Sequence, residues 1–131
     1  MREQEIYLEQ YDWTIRVCYN VKDKDCSIIR NSLLKLGCKG EPLDDACNLI
    51  MENKPNKGIT YSNIDKHQTV VSVGFTIEES EFVNSISHEM LHAVQHIAEK
   101  FSLNPKGEDV CYLMGSLMQA VYLFYIYGGQ N

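Results

Sequence analysis

Three of the chain's four histidines lie within nine residues, in the run His88-Glu89-Met90-Leu91-His92-Ala93-Val94-Gln95-His96. The first five read H-E-x-x-H. Residues four apart project from one face of an α-helix, so His88 and His92 can share a single zinc ion. Glu89 then stands where it can accept a proton from a water that the ion acidifies.

The surroundings support that reading. At about 100° per residue, with His88 at zero, His92 falls near 40° and Glu89 near 100°. Val83, Met90, Leu91, Val94, Ile97 and Phe101 gather between roughly 180° and 300° on the same wheel. One side of the helix is expected to bury itself while the other presents the His-Glu-His set to a cleft. The plainer reading, two histidines on an ordinary amphipathic helix, gives no reason for that division.

A catalytic zinc keeps three protein ligands and one open position. His96 shares nearly the same face but lies about 6 Å further along the axis than His92, and a straight helix does not wrap three such residues round one ion. The residue six beyond His92 is Ala98, where a metzincin would carry its third histidine. His67, in the loop between two strands, is a weaker candidate that could reach the cleft, but as a lone loop histidine it reads rather as a solvated side chain. Glu108, sixteen residues after His92, is the better candidate. It requires that the motif helix end between His96 and Lys100, or that the next helix cross it steeply. The plainer reading of Glu108 is a solvated glutamate stabilised by the dipole of the helix it opens.

The elements that must position these groups follow from pattern. Tyr11 to Val21 alternates and is rich in β-branched and aromatic residues, which predicts a strand. Ser27 to Leu36 has helical spacing and stops at Gly37, and Leu43 to Met51 reads as a second short helix entered through Pro42. Ile59 to Asn63 and Thr69 to Phe75 read as strands joined by the loop Ile64 to Gln68. Glu78, Glu79 and Glu81 favour the first turn of the motif helix, expected to run to about Lys100. Asn104-Pro105-Lys106-Gly107 is turn material, and Glu108-Asp109 opens a closing helix. The expectation is one α+β domain over residues 1–131, with a small twisted sheet of about three strands packed on helices. This order resembles the layout of small zincin-type metal hydrolases, which implies that the strand just before the motif helix rims the cleft with its edge open to an extended peptide.

Bulk properties limit the function classes. A net charge of −6 argues against a protein that grips nucleic-acid phosphates or anionic membrane. Five cysteines without a C-x-x-C pair, behind the charged start Met-Arg-Glu-Gln-Glu, favour free thiols and a cytoplasmic setting. Val110 to Tyr127 holds eighteen residues without a charge, barely enough to span a bilayer. Gly115, Ser116 and Gln119 within it and the acidic pair before it favour a buried helix, partly at a subunit contact, over a membrane span.

At these residues the chain resembles the small zinc peptidases encoded by tailed phages and related bacterial genomes. Their shared core is S-I-x-H-E-x-x-H followed, after a variable loop, by E-x-x-A-Y-L-x-G. The first block is Ser85-Ile86-Ser87-His88-Glu89-Met90-Leu91-His92 here. The second is Glu108-Asp109-Val110-Cys111-Tyr112-Leu113-Met114-Gly115, with Cys111 in the alanine position. The resemblance covers about Thr69 to Leu117. It implies a minimal, gluzincin-like zincin, Zn2+ held by His88, His92 and Glu108, and a cleft that Tyr112 faces.

The expected activity is hydrolysis of a peptide or protein substrate, with Glu89 as general base. Tyr112 would donate to the oxyanion or serve as a packing residue, and Asp109 would orient a ligand histidine or remain a solvated acid. The competing expectation is a catalytically silent zincin fold, with or without zinc, that works as an interaction or assembly component.

Overall fold

The computed structural model describes residues 1–128, an α+β domain with one four-stranded mixed sheet between two pairs of helices. The strands are β1 (Arg2–Leu8), β2 (Trp13–Val21), β3 (Gly58–Asn63) and β4 (Gln68–Gly74). The helices are α1 (Cys26–Lys35), α2 (Glu41–Met51), α3 (Glu79–Lys100) and α4 (Glu108–Tyr127). The sheet order is β1-β2-β4-β3, with β2 and β4 parallel and both outer pairs antiparallel.

Two expectations are corrected here. The sheet has four strands, because Arg2–Leu8 adds an edge strand whose one buried side chain is Ile6. A single inward residue among Arg2, Glu3, Gln4 and Glu5 leaves little of the apolar alternation that marks a strand. The second correction concerns the rim of the cleft. β4, the strand just before the motif helix, is internal between β2 and β3, and the edge beside α3 is β3.

Strand alternation sorts the core into two layers. Ile15, Val17 and Tyr19 of β2, with Val71 and Val73 of β4, face α3 and α4. Cys18 and Val70 face the opposite way, against Ile29 and Leu33 of α1 and Leu43 of α2. Helix α1 ends through Gly37 at φ +88°, a left-handed position that glycine adopts without a Cβ clash.

In α3 the buried residues Phe82, Ser85, Ile86, Glu89, Met90, Ala93, Val94, Ile97 and Ala98 recur at three- and four-residue spacing. The buried arc therefore includes Glu89 and is centred closer to Met90 and Ile97 than the wheel suggested. Val83, Leu91 and Phe101, expected inside, are exposed. Helix α4 buries only Leu113, Leu117 and Val121, which corrects the expectation of a buried closing helix. It runs back along α3: Tyr125 stacks on Phe82 at 4.4 Å between ring centroids, while Val110 and Cys111 share a groove with Ala98 and Ser102.

Candidate metal centre

The motif falls in the middle of α3, with two features set by the fold. His88 and His92 lie on the exposed face, and their Nε2 atoms are 3.3 Å apart. Two nitrogens each about 2.0–2.1 Å from one tetrahedral zinc stand roughly 3.3–3.4 Å apart, so the pair holds the separation that a shared ion imposes. Without metal, one ring N–H can donate to the other across the same gap.

Glu89 differs from its neighbours in being only 8% exposed. It lies under β3, where the Thr60 hydroxyl is 2.8 Å from Oε1 and 3.1 Å from the Glu89 carbonyl oxygen. Oε2 stands 3.8 Å from His88 Nε2. A carboxylate this buried would gain from a cation at its free oxygen, and one held by the imidazole pair would lie within its reach.

The strand was built for this contact. Gly58, Thr60 and Ser62 alternate toward α3, whereas Ile59 and Tyr61 pack on the α1–α2 side. A Cβ at Gly58 would lie 2.7 Å from both Cγ and Oε2 of Glu89, so any larger residue there would push the carboxylate out of its present position. Sequence reasoning assigned no role to Gly58, Thr60 or Ser62. The available signal was their small size at every second position of the strand.

His96 has a different task. Trp13 Nε1 donates to Thr69 Oγ1 at 2.9 Å, and Thr69 meets Ser62 Oγ at 2.7 Å. Ser62 in turn meets His96 Nδ1 at 2.7 Å. Trp13 donates into this chain, and the two hydroxyls of Thr69 and Ser62 link it to His96 Nδ1, whose role as donor or acceptor follows the imidazole tautomer. Burial holds this imidazole below the usual histidine range; His92 acts in the same sense and Glu99 opposes. His96 thus tethers α3 to the sheet.

His67 is not a solvated side chain. Its ring stacks on Trp13 at 5.0 Å and meets Phe101 edge-on at 5.5 Å.

The remaining expected site residues are not brought to the pair. Because α4 returns along α3, Glu108 stands level with the last turn of α3, about 10 Å past His92 along the axis. It is exposed there. Tyr112 is 71% exposed and lines a separate hollow with Tyr7, Tyr11 and Asp109. Asp109 acts there on Tyr11, whose hydroxyl is raised above its usual range first by burial and then by that carboxylate. Among the described residues no three His, Cys, Asp or Glu side chains converge as a ready metal cage. All five cysteines are free thiols. No protein-family model, curated protein or solved structure matches the chain.

Proposed function

We propose that the chain is a zinc-dependent hydrolase of peptide bonds with a minimal zincin-like layout, in which His88 and His92 hold the ion and Glu89 carries the proton. One observation carries the reading. Two imidazole nitrogens 3.3 Å apart sit beside a nearly buried carboxylate that the neighbouring strand clamps at its other oxygen.

Zinc, when bound, would polarise a scissile carbonyl and acidify a nearby water toward neutral pH. Glu89 Oε2 accepts a proton from the attacking water and returns it to the leaving amine. Thr60 holds Oε1, so that Oε2 stays aimed at the imidazole pair. The free edge of β3 offers unpaired backbone groups to an extended peptide substrate. The proposal rests on His88, Glu89 and His92. Glu108 would become a third ligand, and Tyr112 an oxyanion donor, only if α4 moved relative to α3.

The test is Glu89→Gln. Zinc content and thermal stability are expected to stay, while cleavage of a proteome-derived peptide pool disappears. Unchanged turnover would remove Glu89 as the base.

A second reading, a silent zincin-like protein that serves as an assembly component, is favoured by the broad apolar surface of α4. Protein purified without chelator that carries well under one zinc per chain, and cleaves nothing in the pool, would support it.

A further inference from the structure

The outer face of α4 is left over after the sheet and the metal centre are accounted for. Over Val110 to Tyr127 it carries no charge, yet Tyr122, Leu123, Ile126 and Tyr127 are 45–60% exposed. Beside its first half lies a groove of about 710 Å³ between α3 and α4. Its walls are Leu91, Val94 and Ala98 on one side and Val110, Met114 and Gly115 on the other.

Residue sizes along this face are complementary to one another. Cys111, Gly115, Met118, Tyr122 and Ile126 share one side of the helix at three- and four-residue spacing. Small residues occupy the first half of that line and large ones the second. Rotating a second copy by a two-fold axis between Met118 and Gln119 puts Tyr122 opposite Gly115 and Ile126 opposite Cys111. Each copy then supplies the filling for the other's groove, the self-complementary arrangement that a closed dimer needs.

We propose that the chain forms an antiparallel homodimer through α4, with Tyr122 and Ile126 of each copy seated in the α3–α4 groove of its partner. Charge selects this occupant. Two chains of net charge −6 repel on most approaches, whereas this charge-free stretch meets a single carboxylate, Glu99, among the residues lining the groove. Of the exposed residues, Tyr122 and Ile126 lie on this line; a large side chain carries roughly 150–250 Å², so at half to two-thirds exposure the two offer on the order of 200 Å² per copy. The groove walls and both methionines add to that area, against the roughly 800 Å² per partner of a standard interface.

A bilayer is the poorer fit. The inner face of α4 is committed to the core through Leu113, Leu117 and Val121. Arg2 and Gln4 of β1 donate to the carbonyls of Phe124 and Ala120, which ties the helix to the sheet.

Sedimentation equilibrium from about 1 to 100 µM tests the proposal. The wild-type chain is expected to be dimeric, and Tyr122→Glu and Gly115→Glu each to weaken association at least about thirtyfold. Both positions tolerate the change in the monomer: Tyr122 is exposed, and a Cβ at Gly115 meets nothing within 4 Å. Circular dichroism checks that folding is kept. Independently, Ile126→Cys is expected to form an intermolecular disulfide with Cys111 under mild oxidation, located by peptide mass spectrometry, whereas Tyr112→Cys is not. A wild-type monomer at 100 µM, a dimer indifferent to both glutamates, or partition into phosphatidylcholine vesicles in place of self-association overturns it.

Discussion

The contact between Gly58 and Glu89 gives the sharpest prediction, because it separates stability from chemistry. In Gly58→Ala the added methyl would fall 2.7 Å from Glu89 Cγ and Oε2 and 2.8 Å from Cδ. Carbon atoms pack at about 3.5–4.0 Å, so the carboxyl group must shift by about 1 Å. Overpacking costs about 1–3 kcal/mol, and the group that yields here is the end of a side chain, which places the cost near the lower limit. For a domain of this size that is a fall in Tm of about 3–5 °C. A misplacement of about 1 Å at a reacting group costs on the order of 100-fold in rate. The histidines are untouched, so zinc affinity is expected to change by less than about threefold. Peptide-pool cleavage read by mass spectrometry, zinc titration calorimetry and a thermal melt measure the three quantities on one sample. Full activity alongside a lowered Tm would refute the reasoning, as would zinc affinity falling in step with the rate.

Three further outcomes are expected. His92→Ala removes one of two converging nitrogens at an exposed position, so zinc binding is lost in calorimetry while stability stays within about 0.5 kcal/mol of the parent. Glu108→Ala leaves zinc affinity unchanged, because that carboxylate stands a full turn or more beyond the pair; a tenfold loss would show that α4 does supply a ligand. His96 governs a pH dependence. Its folded value lies below the ordinary 6.5, so the unfolded chain takes up a proton first, and stability is full above pH 6.5 and declines as pH falls through that value. Urea denaturation at pH 7.5 and 5.5 is expected to show a smaller difference in His96→Gln than in the parent.

The helices and three of the strands were legible because their signals are local. Gly37 closes α1, Pro42 stands in the first turn of α2, and Glu79 and Glu81 open α3 at the positions composition indicated. The imidazole pair was legible for the same reason, since four-residue spacing fixes it within a single helix. What spacing could not give was anything set by packing between elements. The clamp on Glu89 comes from Thr60, twenty-nine residues away, and exists because β3 rather than β4 takes the sheet edge. Glu108 and Tyr112 looked like site residues in sequence because their block resembles the second block of the phage and bacterial zinc peptidases. Their distance from the histidines is set by the direction of α4, which the Phe82–Tyr125 stack fixes at the opposite end. Arg2–Leu8 escaped notice because a charged edge strand shows only Ile6 to the core.

Thr60 and Ser62 grip residues two helical turns apart on α3, through Glu89 and His96 respectively. Glu89 and the edge strand β3 are therefore mechanically one piece. A polypeptide laid along that strand would inherit its pleat, and its side chains would alternate in step with Thr60 and Ser62. Sliding such a guest by one residue would turn every side chain over, so permitted alignments differ by two. Bond selection would then be quantised by the ladder itself, before any pocket discriminates between side chains.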